Sequence, residues 1–166
     1  MNTLVVGDLH LKQEFVLPRI DELLANDAKI GRVVFLGDAC DDWGANEADE
    51  LNAMEFYAKW VREHRERGMQ IDVLLGNHDF CYVRGKRGPG SIMSIMRNLR
   101  TILEDALQAK VACAVGPYLC SHAGVTGVWA KRFLSDVPAD AAAIAQRLNE
   151  MLADSSHWGD LDSCPP

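Results

Sequence analysis

Four apolar runs in this chain end in the same kind of polar turn. Leu4-Val5-Val6 leads into Gly7-Asp8-Leu9-His10, and Val33-Val34-Phe35-Leu36 into Gly37-Asp38-Ala39-Cys40-Asp41. Ile71-Asp72-Val73-Leu74-Leu75 leads into Gly76-Asn77-His78-Asp79, and Tyr118-Leu119-Cys120 into Ser121-His122-Ala123-Gly124. Short runs of large and β-branched apolar residues that stop abruptly read as strands followed by tight turns. Asp, Asn and His just past such stops are poor packing material. They suit a polar site gathered at the carboxyl edge of a sheet, where open α/β sheets place their ligands.

The segments between the runs carry helical spacing. Leu17, Ile20, Leu23 and Leu24 mark a first helix, opened by Pro18. Asn46 to Arg67 is the longest helical pattern, with Leu51, Met54, Ala58 and Val61 inward, His64 on the surface and Gly68 as its stop. Tyr82 to Gly90, rich in glycine and cations, reads as a mobile loop with no helix in it. Ser91 is positioned to cap a helix through Leu107. Lys110–Val115 and Tyr118–Ser121, joined by Gly116-Pro117, form an antiparallel hairpin. A short helix follows over Val125 to Phe133, then another from near Pro138 with Asp136 as cap; Asp154 to Pro166 shows no periodicity. The βαβαβ beginning and the later hairpin define an α/β protein, read as a single domain over residues 1–166.

Composition narrows the partners. A formal charge of −7 disfavours nonspecific nucleic-acid binding but not a phosphorylated substrate, because bound divalent cations invert the local sign. No apolar run approaches the roughly 18–20 residues that span a bilayer, and the N-terminus enters a strand at once, so the reading is a soluble, cytoplasmic protein without membrane partners. Five cysteines (Cys40, Cys81, Cys113, Cys120, Cys164) show no CxxC spacing and fit reduced thiols. Cys40 and Cys81 flank the polar loops, yet thiolates compete poorly at an oxygen-rich site.

Asp8 and His10 are two apart, so in extended backbone they face the same side and can share one ion. Asp38 leaves a neighbouring strand, and a carboxylate can bridge two cations about 3.5–4 Å apart. Asn77 offers a carbonyl oxygen and His122 an imidazole nitrogen. Mixed N/O ligation favours manganese, iron, cobalt or zinc over calcium.

Gly-Asp-Leu-His, Gly-Asp-Ala-Cys-Asp, Gly-Asn-His-Asp and Ser-His-Ala-Gly, in this order, resemble four successive motifs of the calcineurin-like metallophosphoesterases. Ser-His-Ala-Gly after a hairpin is most similar to the Ser/Thr protein phosphatase branch and its bacterial and phage relatives. The match spans residues 7 to 124. The resemblance implies a β-sheet sandwich flanked by helices (αββα). It implies two divalent ions, one held by Asp8, His10 and Asp38 and the other by Asp38, Asn77 and His122. It also implies in-line attack on phosphorus by a metal-bound hydroxide, with His78 as general acid oriented by Asp41. A poor alkoxide leaving group needs that proton.

Two departures qualify the match. The family usually has Arg after the Asp of its second motif, whereas Asp41 is followed here by Asp42-Trp43-Gly44; Arg84, Lys86 or Arg87 are the candidate substitutes for phosphate binding. The family's last motif, a Gly-His pair that adds a ligand to the second metal, does not occur, and His157 in His-Trp-Gly does not match it. A chain shortened at its C-terminus, with a weakly occupied second site, is the expectation. Trp43 is equally compatible with a place over the substrate or in the core. Three functions follow: a phosphoester hydrolase acting on a phosphoprotein; a dinucleoside polyphosphate or nucleotide phosphohydrolase; and a metal-binding scaffold without turnover. Oligomeric state is left open.

Overall fold

The computed structural model describes residues 1–163; Cys164 lies outside them. Three strands, β1 (Asn2–Val6), β2 (Ile30–Phe35) and β3 (Gln70–Val73), form a parallel sheet in the order β1-β2-β3. The central strand presents Val33, Val34 and Phe35 buried on both faces, as its uninterrupted apolar run required. Helices α1 (Gln13–Asn26) and α2 (Glu47–Glu66) make the crossovers. Val33, Phe35, Ile71 and Val73 pack with Leu17 and Ile20 of α1 and Tyr57 and Val61 of α2. Phe35 meets the rings of Tyr57 and Trp60 edge-on at 5.1 and 5.9 Å.

Val34 and Leu74 close with Cys113 into a smaller apolar cluster, flanked by Leu36, Val115 and Cys120. The last residues belong to the antiparallel hairpin of β4 (Ala112–Val115) and β5 (Tyr118–Ser121), tied to the sheet by a bridge between Leu74 and Lys110. Helix α6 (Ala141–Ala153) packs on the hairpin, and its Asn149 accepts from the amides of Val111 and Ala112 and donates to the Ala112 carbonyl. The layering is the αββα sandwich. No helix among the described residues is long and apolar enough to cross a membrane.

Several boundaries differ from the sequence reading for local reasons. Helix α1 starts at Gln13, with Pro18 inside it, because the Gln13 side chain is anchored on the Ala39 carbonyl and the Lys12 carbonyl accepts from Phe15 and Val16. Helix α3 occupies Asn77–Arg84, so the segment from Tyr82 to Arg84 is its last turn; Gly85, at φ 68°, ends it in the left-handed region. Ser91 is not a helix cap: its hydroxyl bonds Gly88, and the next helical stretch opens as a 3₁₀ turn at Met93–Ile95 before α4 (Met96–Thr101) and a π turn at Ile102–Ala106. Helix α5 covers Gly127–Phe133. Asp140, not Asp136, caps α6, while Asp136 pairs with Arg147 at 2.7 Å. Within the described part of the stretch without periodicity, a 3₁₀ turn forms at Ser155–His157 and a short α7 at Trp158–Leu161. His64 is buried, stacked on Trp60 at 3.8 Å, and its Nε2 lies 3.0 Å from Asp21 of α1.

Candidate active site

The loops after β1, β2, β3 and β5 meet at one rim, and their closeness depends on two glycines. Gly37 holds φ 109°, and a Cβ on it would stand 2.8 Å from the Cα of Gly76. A Cβ on Gly76 would stand 2.5 Å from the Asp38 amide nitrogen and overlap its carboxylate. Only bare backbone lets the second and third loops touch. Asp38, Asp41, His10 and Leu11 all take positive φ values, 51°, 63°, 40° and 59°. Side chains rarely accept such backbone, and its concentration at a single rim is the pattern of a site held in shape by its surroundings.

The first loop docks on the second through backbone bonds. The amides of Leu9 and His10 donate to the Asp38 carbonyl at 3.0 and 2.9 Å, and that of Leu11 to Ala39 at 3.2 Å. Asp79 docks the third loop. Its fully buried carboxylate accepts from the amides of Ala39 and Cys40 at 3.0 Å and of Gly76 at 2.9 Å. Desolvation pushes this carboxyl up, and the donated amides act against it.

Asp38 is the centre. One of its oxygens accepts the His78 amide at 2.9 Å. The other faces two imidazole Nε2 atoms, of His122 at 3.4 Å and of His10 at 3.8 Å. Both rings are oriented from behind by backbone carbonyls: His10 Nδ1 lies 2.8 Å from the Asp41 oxygen and His122 Nδ1 3.0 Å from that of Leu36. A ring that donates Nδ1–H to a carbonyl keeps its Nε2 lone pair for a ligand, which is how metal-binding histidines are held. Asp8 stands beside them, its carboxylate 3.8 Å from His122 Nδ1. One donor atom each from Asp8, His10 and Asp38 lies within 4.8 Å of the others. This oxygen-and-nitrogen set fits a divalent cation of the manganese-to-zinc series. Burial pushes the Asp38 carboxyl up, but the hydrogen bonds from His122 and the His78 amide, with both imidazole charges, outweigh it and hold the group below the ordinary aspartate value. The same bond to Asp38 raises His122 above the ordinary histidine value, against the pull of burial. Asn77, the first residue of α3, is exposed between Gly76 and His78, both in contact with Asp38.

His78 and Asp41 form a second unit. His78 Nδ1 lies 3.0 Å from Asp41 Oδ2, which leaves Nε2 as the ring nitrogen that Asp41 does not engage. Asp41 Oδ1 accepts the Tyr82 hydroxyl at 2.5 Å, and the same hydroxyl accepts the Ile92 amide. The Asp41 amide donates to Glu50 at 3.1 Å, and burial pushes the Glu50 carboxyl up to about 7. The adjacent Asp42 turns elsewhere, pairing with Lys12 and accepting the Trp43 amide.

A cleft of about 340 Å³ opens beside this unit, with His10, Asp41, Trp43, His78, Pro89 and Gly90 on its walls. Arg84 does not line it. Its guanidinium lies over the Phe80 ring at 5.6 Å and pairs with Asp162. Lys86 and Arg87 are exposed on the following loop and do not line the cleft either. Lys12, two residues past His10 and paired with Asp42, is the cation at this rim that motif reading passed over; its spacing from His10 was the available signal. Tyr82, Glu50 and Asp79 were also missed as supports: the sequence reads Tyr82 as mobile loop, Glu50 as helix surface, and Asp79 only as the end of its motif. Cys40 is fully buried, and burial pushes its thiol well up. The Cys81 thiol is raised by burial to about 12 and donates to the His78 carbonyl at 3.0 Å, so neither cysteine offers a thiolate. His157 pairs within its own segment, 3.4 Å from Asp160. Trp43 is 90% exposed and so is no part of the core.

A family model described as calcineurin-like phosphoesterase matches residues 1–162. No curated protein matches the chain. Among solved structures, the cold-active protein-tyrosine phosphatase of a psychrophilic Shewanella species is similar at 18% identity and TM-score 0.57, over 96% of this chain and 54% of that one. Another cold-active protein tyrosine phosphatase structure matches at 16% and 0.55, over 91% and 52%, and a point mutant at 16% and 0.54, over 91% and 53%. At these identities the likeness is one of fold. The chain spans about half the length of the solved structures it matches.

Proposed function

The chain belongs to the calcineurin-like phosphoesterases, a divalent-metal-dependent family, and we propose that it hydrolyses a phosphate monoester at the rim built around Asp38. The observation that carries this reading is the convergence on one buried carboxylate of two imidazole Nε2 atoms and the amide of a third histidine, His78. Asp8, His10 and Asp38 would hold one ion; Asp38, Asn77 and His122 would hold a second, more weakly because the Gly-His pair that adds a ligand to it in the family does not occur in this sequence. The donor set suits manganese, iron, zinc or cobalt. When bound, such ions supply Lewis acidity toward the phosphoryl oxygens and water acidified to near neutrality.

The remaining work falls to the chain itself. His78 donates a proton to the leaving oxygen, the step that a poor leaving group needs most. Asp41 fixes the tautomer and direction of that ring, and Tyr82 and Glu50 fix Asp41. The chemistry is of the Ser/Thr protein phosphatase type, an in-line displacement on a phosphorylated protein or small ester. The free thiols, including Cys113 opposite Cys120 across the hairpin, support a reducing compartment such as the cytoplasm. Hydrolysis of p-nitrophenyl phosphate in Mn²⁺, together with elemental analysis of the bound metal, tests the proposal. Turnover abolished by Asp38→Asn supports it. A metal-loaded protein that leaves the ester intact would instead be a binding module.

A further inference from the structure

We propose that the cleft beside His78 is a leaving-group subsite for an aromatic alcohol, with the Trp43 indole as the wall on which the ring lies. This rests on the phosphoesterase reading and adds to it the class of ester: a phenolic phosphomonoester in preference to an aliphatic one or a polyphosphate.

Three observations converge. Trp43 is an almost wholly exposed indole, yet it lines the same cleft as His78. A large apolar side chain left in water gains nothing for folding, and aromatic rings with one wet face are what binding sites use. The backbone turn that carries the indole is also held in place. Asp42 accepts the Trp43 amide at 2.9 Å and the Lys12 ammonium, the Ala45 amide returns to the Asp42 carbonyl at 3.2 Å, and Gly44 turns the chain at φ 86°. Helix α2, capped by Asn46, begins directly behind this turn.

The chemistry of the walls selects the ligand. Gly44, Ala45, Pro89 and Gly90 add an apolar, sterically low surface around Trp43. Neither lysine nor arginine is among the lining residues, and the two carboxylates there are already engaged, Asp41 by His78 and Tyr82 and Asp42 by Lys12. A leaving group with further phosphates would find no lysine or arginine on these walls to hold them, and Lys12 at the rim is already paired with Asp42. A volume of about 340 Å³ lies at the small end of ligand sites and suits one ring with its phosphate, well short of a dinucleotide.

The test uses the full chain loaded with Mn²⁺, as wild type, Trp43→Ala and Trp43→Phe. Binding of phenylphosphonate and propylphosphonate, neither of which can be hydrolysed, is measured by calorimetry. In parallel, kcat/KM is measured for phosphotyrosine and phosphoserine. Because aryl esters are intrinsically more reactive, the informative quantity is the mutant-to-wild-type ratio for each substrate, in which that difference cancels. Trp43→Ala is expected to weaken phenylphosphonate about three- to tenfold and leave propylphosphonate unchanged, with Trp43→Phe recovering most of the loss. The kcat/KM for phosphotyrosine should fall in the same proportion, and that for phosphoserine should hold. Equal effects on aryl and alkyl ligands, or none on either, overturn the subsite while hydrolysis itself stands. Trp43-dependent phenylphosphonate binding without turnover of either ester sustains the subsite and removes the hydrolase reading.

Discussion

Asp41→Asn isolates the positioning of His78, the proposed proton donor, from everything else at the rim. Asp41 sits at φ 63°, a conformation that Asn accepts as readily as any side chain with a Cβ, so the backbone has no reason to move. The substitution keeps the shape and removes the charge. His78 then loses a charge-assisted hydrogen bond of 3.0 Å, and Tyr82 one of 2.5 Å. The amide must also turn its oxygen to one partner and its nitrogen to the other, so one of the two contacts is mismatched. A hydrogen bond to a charged group is worth about 1.5–3 kcal/mol. At about 1.36 kcal/mol per decade, that is roughly 10- to 150-fold in rate if the bond acts mainly in the transition state. The loss should fall on kcat, with KM and metal content unchanged. It should also depend on the leaving group, because general-acid assistance matters most when the departing oxygen is strongly basic. Phosphoserine hydrolysis should therefore show the full loss and p-nitrophenyl phosphate only a small part of it. Trp43→Ala has the opposite signature, since it penalises the aryl ester. Steady-state kinetics on both esters decide the matter. An equal loss on the two leaving groups, or a fall in bound metal, would refute His78–Asp41 as the acid unit.

Other perturbations probe the scaffold around that unit. Asp79→Ala removes the acceptor for three buried amides and should cost at least about 3 kcal/mol by chemical denaturation; a loss below about 1 kcal/mol would show that the loops do not depend on it. Tyr82→Phe deprives Asp41 of a donor and the Ile92 amide of an acceptor, so kcat should fall several-fold with about 1–2 kcal/mol of stability. His122→Ala should remove whatever second manganese ion the wild type holds, leaving about one per chain by elemental analysis; wild-type stoichiometry unchanged in the variant would refute its ligand role. Asp72 gives a pH test. Burial pushes its carboxyl up, but Arg32 and Lys110, at 2.7 and 3.1 Å, outweigh this and hold it below the ordinary value. A depressed value stabilises the fold above the unfolded value, about pH 3.9, and that contribution drains away as pH falls through the folded one. Asp72→Asn should thus destabilise by about 3 kcal/mol at pH 7, with the gap to wild type narrowing as the pH drops below about 4.

What could be read in the sequence and what could not divide along physical lines. Strand ends announce themselves, because an apolar run that stops at Gly37 or Gly76 leaves little choice about where the following Asp38 and Asn77 must lie. The choice between Asp41 and Asp42 was of another kind. Both are aspartates on one loop, and only the backbone turn at φ 63° aims the first at His78 and leaves the second to Lys12. No local pattern encodes that turn, since it depends on Glu50 and Tyr82 arriving from two different helices. Arg84 misled for the complementary reason. A cation in a glycine-rich stretch looks free for phosphate, but the chain from Asn77 to Arg84 closes into a helix and carries its guanidinium to Asp162, almost eighty residues on. His64 repeats the lesson: its charged neighbours in sequence point outward, while the helix turns the imidazole onto Trp60 and Asp21. Polar residues placed by strand ends, such as Asp8, His10 and Asp38, are thus legible as a group from motif and spacing. The groups that orient them come from distant helices, and their roles exist only once those helices pack. Trp43 sits at the boundary between the two cases. Its place next to the Asp41–Asp42 pair was visible, but that a tight turn would leave it in water beside His78 was not, and it is that exposure on which the proposed subsite is built.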